Sequence, residues 1–148
     1  MYIESKGREE TFSIGKSLGE KARPGQIFTL DGELGVGKTV FAKGFAEGLG
    51  VAEAITSPTF TIVQEYQSGR IPFYHFDAYR VADPEEMYEI GFEDYLFGEG
   101  VCMIEWASLI EDILPEKIIR VKIRKDSSCD FDHREILIEG IENENSCN

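Results

Sequence analysis

The sequence predicts an α/β fold with a mainly parallel central sheet, helices on both faces and antiparallel C-terminal strands. Three observations lead to this fold class. Strand-like apolar runs alternate with segments of helical periodicity, a glycine-rich loop joins a strand to a helix, and the last two apolar runs alternate like a hairpin. The chain has 148 residues, enough for one domain with its own core. We therefore predict one domain over residues 1–141 and a flexible acidic tail over 142–148.

Two strands and two helices are predicted in the first third of the chain. In the first helix, the residues predicted to point inward are Phe12, Ile14 and Leu18. The predicted elements are a strand at 2–4, a helix at 11–22, a strand at 27–30 and a helix that starts near Lys38 and ends at Leu49.

The rest of the chain continues the alternation of strands and helices and ends in a hairpin. Residues 118–123 and 135–138 alternate between apolar and polar side chains, which is typical of strands with one buried face. We therefore predict that these two strands pair antiparallel across a polar loop. The other predicted elements are strands at 59–66, 71–76 and 101–104 and an acidic helical stretch after Pro84.

The segment from Gly32 to Thr39 fits the phosphate-binding pattern G-x-x-x-x-G-K-[ST] at every fixed position. Its glycines let backbone N–H groups wrap around phosphates, because a Cβ would block the close approach. Lys38 can reach the β and γ phosphates, Thr39 can offer its hydroxyl to Mg²⁺, and the following helix directs its positive end toward the anion. The sequence therefore predicts a P-loop NTPase-like fold with a nucleoside-triphosphate site. The predicted cofactor-binding residues here are Gly35, Val36, Gly37, Lys38, Thr39 and Val40.

Two carboxylates follow predicted strands at the edge of the sheet that faces this loop. Asp77 comes after the strand at 71–76, and Glu105 comes after the strand at 101–104. Open α/β sheets carry functional groups at the carboxyl ends of parallel strands, where P-loop NTPases hold acids that organise Mg²⁺ and water. The sequence leaves the division of roles between the two acids open. The predicted catalytic residues are Lys38, Asp77 and Glu105, and the predicted metal ligands are Thr39, Asp77 and Glu105.

Polar and aromatic residues near these motifs allow two interpretations. Ser57 and Thr59 enter a predicted strand, either as a γ-phosphate-sensing switch or as ordinary turn hydroxyls. Arg80 is the arginine near a recognisable phosphate motif, and Trp106 is predicted to be half-buried beside the second acid. We retain these four residues as possible switch or partner contacts. His75, flanked by aromatic residues, is predicted to be a packed or hydrogen-bonded strand residue rather than a catalytic base.

The chain carries a net charge of −13 at pH 7, which argues against a broad basic face that binds nucleic acid tightly. Residues 83–116 are rich in acids and contain neither Lys nor Arg, so this stretch is either a solvated surface or a docking surface for a basic partner. No apolar stretch approaches the length of a membrane span, and the N-terminus lacks the apolar block of a secretory signal. The three cysteines form no C-x-x-C pair, which suits a reducing compartment. We therefore expect a cytoplasmic protein without membrane association.

Four motifs in the chain share the order and spacing of one protein family. They are Gly32 to Thr39, Ser57-Pro58-Thr59-Phe60, His75-Phe76-Asp77-Ala78-Tyr79-Arg80 and Ile104-Glu105-Trp106. Together they resemble the bacterial TsaE family, formerly called YjeE, over nearly the whole chain. The resemblance implies an ATPase that uses ATP and Mg²⁺ to support the formation of threonylcarbamoyladenosine beside the anticodon of tRNAs that read codons beginning with A. It also implies TsaD-like and TsaB-like partner subunits that carry the transfer chemistry, with tRNA contacted indirectly through the complex.

The resemblance also assigns roles to single residues. Thr11 and Arg134 align loosely with family positions near the nucleotide, and we include both among the predicted cofactor-binding residues. Ala78 and Ala107 replace the commoner leucine and proline, which affects no role because neither position has reactive atoms. The remaining roles that the resemblance implies are phosphate and Mg²⁺ contacts for Lys38 and Thr39, a metal-site acid at Glu105 and a second-strand acid at Asp77.

Three other functions use the same kind of loop. A small-molecule kinase needs a lid whose arginines clamp the transferred phosphoryl group, and the acidic stretch is the wrong chemistry for such a lid. A regulatory GTPase of the usual kind needs an N-K-x-D motif, which the sequence lacks. A nonhydrolytic module whose nucleotide orders an interface stays open. The sequence does not indicate why adenine would be preferred over guanine, which surface meets the partners, whether the free protein dimerises, or which step of the modification cycle uses ATP.

Overall fold

The computed structural model describes residues 1–33, 36–55, 62–79, 81, 83–125 and 133–140. Its strands are β1 (Tyr2–Ser5), β2 (Ile27–Asp31), β3 (Val63–Tyr66), β4 (Phe73–Asp77), β5 (Val101–Glu105), β6 (Ile119–Lys125) and β7 (Arg134–Glu139). Its helices are α1 (Arg8–Lys21), α2 (Lys38–Leu49), α3 (Glu85–Glu89) and α4 (Phe92–Leu96), and a 3₁₀ helix spans Ala107–Ile113.

The described strands form one seven-stranded sheet in the order β1-β7-β6-β2-β5-β4-β3. Its centre is parallel, because β2 lies between β5 and β6, and β4 pairs with β5. The strands β1, β7 and β3 pair antiparallel toward the two edges. The predicted α/β fold with antiparallel C-terminal strands is confirmed. In addition, the two edge strands of the sheet, β1 and β3, are antiparallel to their neighbours.

The sheet is covered on both faces, because its central strands carry apolar side chains in both directions. Successive strand residues point to opposite faces. Phe28 and Leu30 of β2 join the core that includes α2, whereas Ile27 joins the core on the side of α3 and α4. Every residue of β5 is buried. This strand is therefore enclosed by helices on both sides, and its carboxyl end is fixed in position.

The helices α1 and α2 pack with their backbones in close contact. A Cβ atom placed on any of four glycines would lie closer than 3.0 Å to a carbonyl oxygen of the facing helix, which real Cβ atoms essentially never do. For Gly44 that oxygen belongs to Phe12, and for Gly15 it belongs to Phe41. The absence of side chains at these positions lets the two helices approach. The four glycines are Gly15 and Gly19 of α1 and Gly44 and Gly48 of α2.

This close packing changes the inner face that was predicted for α1. Its buried residues are Thr11, Gly15 and Gly19. Ile14 and Leu18 are partly buried against the core, as predicted. The prediction for Phe12 is wrong: its side chain is only half-buried and lines a surface cavity with Arg8, Glu9, Ser13 and Val40. The close backbone contact leaves no space for a phenylalanine ring between the helices.

The remaining predictions concern membrane-spanning segments, the strand at 59–66 and the extent of the domain. No helix among the described residues is both long enough and apolar enough to cross a membrane. The strand predicted at 59–66 is present as β3 from Val63, and its residues 59–61 lie outside the described residues. The single domain over 1–141 stays a prediction, and the tail at 142–148 lies outside the described part of the chain.

We predict that Gly44→Ala lowers the free energy of unfolding by about 1–3 kcal/mol, because the new methyl group would push against the backbone of α1. In an exposed helix the same change would raise helix stability by about 1 kcal/mol, so the sign of the effect tests the packing. Gly7→Ala is the matched control, because a Cβ there meets nothing within 4 Å. Urea unfolding followed by circular dichroism measures both variants. An unchanged or higher stability for Gly44→Ala would contradict the packing.

Candidate nucleotide-binding site

The glycine-rich loop connects the end of β2 at Asp31 to the start of α2 at Lys38. Its last residue, Gly37, caps α2 with φ 113°, a conformation that side chains disfavour. Because Gly37 has no side chain to cap the helix, the first N–H groups of α2 are available to a ligand. The 12-residue helix therefore presents its positive end at this loop. Such an arrangement binds anions, and phosphate groups in particular.

Lys38 is buried, with 6% of its surface exposed. Its Nζ atom donates a hydrogen bond of 2.7 Å to the carbonyl oxygen of Gly32. The same atom lies 3.6 Å from the centroid of the Trp106 ring, in cation–π contact. The ammonium group thus contacts a neutral carbonyl and an aromatic ring, where the glycine-rich loop joins α2.

Three carboxylates act electrostatically on this ammonium group. Burial lowers the pKa of Lys38 below its ordinary value, while Glu105, Asp77 and Asp31 oppose that shift through their negative charges. Burial also raises the pKa of Asp31, against the effects of the Ser108 N–H group and of Lys38. The site therefore combines one buried cation with nearby acids, although the described residues contain no cluster of three or more His, Cys, Asp or Glu side chains that could hold a metal ion by itself.

Asp77 and Glu105 lie directly opposite each other on neighbouring parallel strands. The Asp77 side chain is half-buried and accepts a hydrogen bond of 2.9 Å from the N–H group of Tyr79. Glu105 is 5% exposed, and its Oε2 atom lies 2.6 Å from Nε2 of His75. The structure thus brings the two predicted acids together beside the loop. His75 is a buried, hydrogen-bonded strand residue, as predicted.

Thr11 and Arg134 both lie against the loop, although they are far from it in sequence. The Cγ2 atom of Thr11 is 3.9 Å from the position that a Cβ would occupy on Gly37. Its hydroxyl is buried and forms a hydrogen bond of 2.7 Å with that of Ser5. The Nε atom of Arg134 donates a hydrogen bond of 2.9 Å to the carbonyl oxygen of Val36. The starts of α1 and β7 therefore flank the loop.

The other predicted site residues have different positions. Thr39 is exposed on the first turn of α2, and Val40 follows it as a half-buried residue. Trp106 is half-buried, as predicted, and its ring centroid lies 4.9 Å from that of Tyr79. The predicted residues that lie outside the described part of the chain are Gly35, Ser57, Thr59 and Arg80.

Comparison with known proteins decides the family. A family model described as threonylcarbamoyl adenosine biosynthesis protein TsaE matches residues 5–136. The chain belongs to the TsaE family. The prediction from the four sequence motifs is thereby confirmed.

Individual TsaE-family relatives match over most of the chain. A Bacillus subtilis (strain 168) protein named tRNA threonylcarbamoyladenosine biosynthesis protein TsaE is 46% identical over 135 residues, which are 91% of this chain and 82% of that protein. A Treponema pallidum (strain Nichols) protein of the same name is 41% identical over 124 residues, which are 84% of this chain and 91% of that protein. The crystal structure of Bacillus subtilis YdiB matches with a TM-score of 0.78 at 41% identity, over 92% of this chain and 82% of that one.

Two features of the site in this TsaE-family chain were not predicted from the sequence. Asp31 ends β2 just as Asp77 and Glu105 end their strands, so the strand-end rule would have found it. Tyr79 has no motif of its own that points to its contact with Trp106. That contact depends on how the segment after β4 folds over the segment after β5.

We predict that Lys38→Met changes the fluorescence emission of Trp106 in the absence of nucleotide, because the charge over its ring is removed. Trp106 is the single tryptophan of the chain, so its signal needs no correction for others. Lys43→Met is the control, because Lys43 is exposed on the same helix. Identical spectra for Lys38→Met and the parent protein would mean that the ammonium group does not lie over the ring in solution.

Proposed function

We propose that this protein is an ATPase that binds ATP with Mg²⁺ at the loop between β2 and α2 and thereby supports threonylcarbamoyladenosine biosynthesis. Membership of the TsaE family supports the role in this pathway, because the family and its relatives carry that description. The observation that carries the ATP site is the buried ammonium group of Lys38, which lies at the N-terminus of α2. A buried cation at a helix N-terminus favours a polyanionic ligand.

The chain's own residues fit a triphosphate with a divalent cation. Lys38 donates to a neutral carbonyl, and phosphate oxygens would make a stronger, charge-assisted hydrogen bond with it. Mg²⁺ is usually held by one or two carboxylates together with phosphate oxygens, and Asp77 and Glu105 supply the carboxylates here. When bound, Mg²⁺ neutralises the charge that develops on the phosphates. Thr39 would add its exposed hydroxyl as a ligand.

We assign separate roles in hydrolysis to the lysine, the loop and the two acids. Lys38 and the first N–H groups of α2 bind and orient the phosphates. The half-buried Asp77 is the more accessible acid, so besides contacting the metal it would be suited to orient the attacking water, whereas Glu105, which is buried beside His75, would be suited to the metal alone. We propose that Thr11, Val36, Val40 and Arg134 shape the nucleotide site around the loop.

We propose TsaD-like and TsaB-like subunits as partners that carry the transfer chemistry and contact tRNA. The described acids between 83 and 116 are mostly exposed, and such a surface disfavours tight binding of nucleic acid by this chain alone. We propose a cytoplasmic location, which the cysteine pattern supports.

We predict that the isolated protein hydrolyses MgATP slowly and that Glu105→Gln lowers kcat by about 100-fold or more. Lys38→Ala is expected to lose nucleotide binding, measured by Trp106 fluorescence and by calorimetry, because the phosphate contact is lost. Lys43→Ala, an exposed change on the same helix, should behave as the parent. If MgATP binds Lys38→Ala as tightly as the parent, the site lies elsewhere. Nucleotide-dependent transfer of phosphate to an added acceptor would instead indicate a kinase.

We predict that a TsaD and TsaB system forms threonylcarbamoyladenosine over several turnovers only with the intact protein. The reactions to compare contain the parent, Lys38→Ala, Glu105→Ala, Lys43→Ala or no addition. The parent and Lys43→Ala should sustain turnover, and the ATP hydrolysis rate of the parent should rise when the partners are added, because a stimulating group can come from a partner. Equal product in all reactions would refute the pathway role. Equal ATP hydrolysis with and without partners would refute stimulation.

A further inference from the structure

We propose that His75 is a positioning residue that holds the Glu105 carboxylate in one orientation for the ATPase site. The inference rests on the proposed function for its kinetic consequence. Its structural basis is independent of that function: Nε2 of His75 lies 2.6 Å from Oε2 of Glu105, and both side chains are buried. A contact this short between buried polar groups fixes both of them.

The strand geometry brings His75 next to the site. On β4, His75 lies two residues before Asp77, so both side chains point to the same face of the sheet. Asp77 is the register partner of Glu105 on β5. The imidazole therefore contacts Glu105 from the neighbouring strand β4, at a position two residues before Asp77. The two acids therefore lie side by side on one face of the sheet, and the imidazole lies on the same face.

The surroundings of the imidazole select which nitrogen carries the proton. Nδ1 of His75 is buried and has no hydrogen-bond partner among the described residues. A proton on Nδ1 would leave a donor unsatisfied in the core, whereas a bare Nδ1 leaves only an unused lone pair, which proteins tolerate better. Of the two tautomers of the imidazole, the one with its proton on Nε2 is therefore favoured. In that form the Nε2–H group donates to the Glu105 carboxylate.

The orientation of the imidazole is itself fixed by packing. The ring stacks on Phe73 with a centroid distance of 5.7 Å and an interplanar angle of 12°. Phe73 is fully buried and also contacts Phe45 of α2. A rigid donor occupies Oε2 of Glu105 and leaves Oε1 for a ligand. Partners that orient metal ligands in this way typically contribute about 10–100-fold to metal affinity or activity.

The kinetic test compares two substitutions that each keep one feature of His75. His75→Phe keeps the stacked ring and lacks the donor, whereas His75→Gln keeps an N–H donor at the place of Nε2 and lacks the ring. We expect His75→Phe to lower kcat by about 10–100-fold, to raise the Mg²⁺ concentration needed for half-maximal rate, and to leave ATP affinity unchanged. His75→Gln should recover most of the loss. Equal losses in both variants, or full activity in His75→Phe, would overturn the proposal.

A double-mutant comparison separates positioning from a general loss of structure. If His75 acts through Glu105, then His75→Phe causes no further loss of kcat when Glu105 is already Gln. A purely structural role would lower the rate by the same factor in both backgrounds, and that outcome would overturn the proposal.

A spectroscopic experiment tests the hydrogen bond between His75 and Glu105 without measuring ATP hydrolysis. Nitrogen-15 NMR of labelled histidine should show His75 as the neutral Nε2–H tautomer, with a hydrogen-bonded proton whose signal moves in Glu105→Gln. The chain has two histidines, and His133→Gln assigns them. An Nδ1–H tautomer, or a signal that ignores Glu105→Gln, would overturn the proposal even if the protein hydrolyses ATP. An inactive parent with the expected NMR signal would instead overturn the proposed function and leave the His75–Glu105 contact established.

Discussion

The parallel register of β2, β5 and β4 is the constraint on which the candidate site depends. Because these strands run in the same direction, their last residues, Asp31, Glu105 and Asp77, meet at one edge of the sheet. Lys38 starts α2 at that edge, where all three acids act electrostatically on its ammonium group. Glu105 and Asp77 are register partners and share one face of the sheet, so a slip of one residue between their strands would turn them to opposite faces. The burial of every residue in β5 opposes such a slip, because it would move apolar side chains out of both cores.

Two segments outside the loop contact its described residues. Glycine gives a loop the conformations that phosphate binding requires, but it also leaves many conformations open to the chain. The described structure restricts that freedom through Arg134, which binds the carbonyl of Val36, and through Thr11, which lies beside Gly37. The glycine-lined contact between α1 and α2 holds Thr11 in place. The loop and its supports therefore come from three distant parts of the chain.

Sequence patterns predicted the parts of the site that depend on neighbouring residues. The loop, the helix that starts near Lys38 and the strand-end acids Asp77 and Glu105 are local features, and periodicity and spacing were sufficient for their placement. The contact of His75 with Glu105 requires the register between β4 and β5, which no local pattern contains. The inner face of α1 was predicted incorrectly at Phe12. Side chains two positions apart, such as Phe12 and Ile14, point to different sides of a helix, and no local pattern reveals that the backbone of α2 approaches too closely for a large side chain.

The burial of Lys38 raises the question of how the fold tolerates a cation with so little contact to water. An isolated buried ammonium group is strongly disfavoured, and burial accordingly lowers its pKa. The carbonyl of Gly32 and the ring of Trp106 provide direct contacts, and a cation–π contact contributes about 0.5–2 kcal/mol. These direct contacts are neutral, and the three nearby acids add the attraction of their negative charges. In the proposed function, a phosphate group would replace the two neutral contacts with charge-assisted hydrogen bonds, which are stronger.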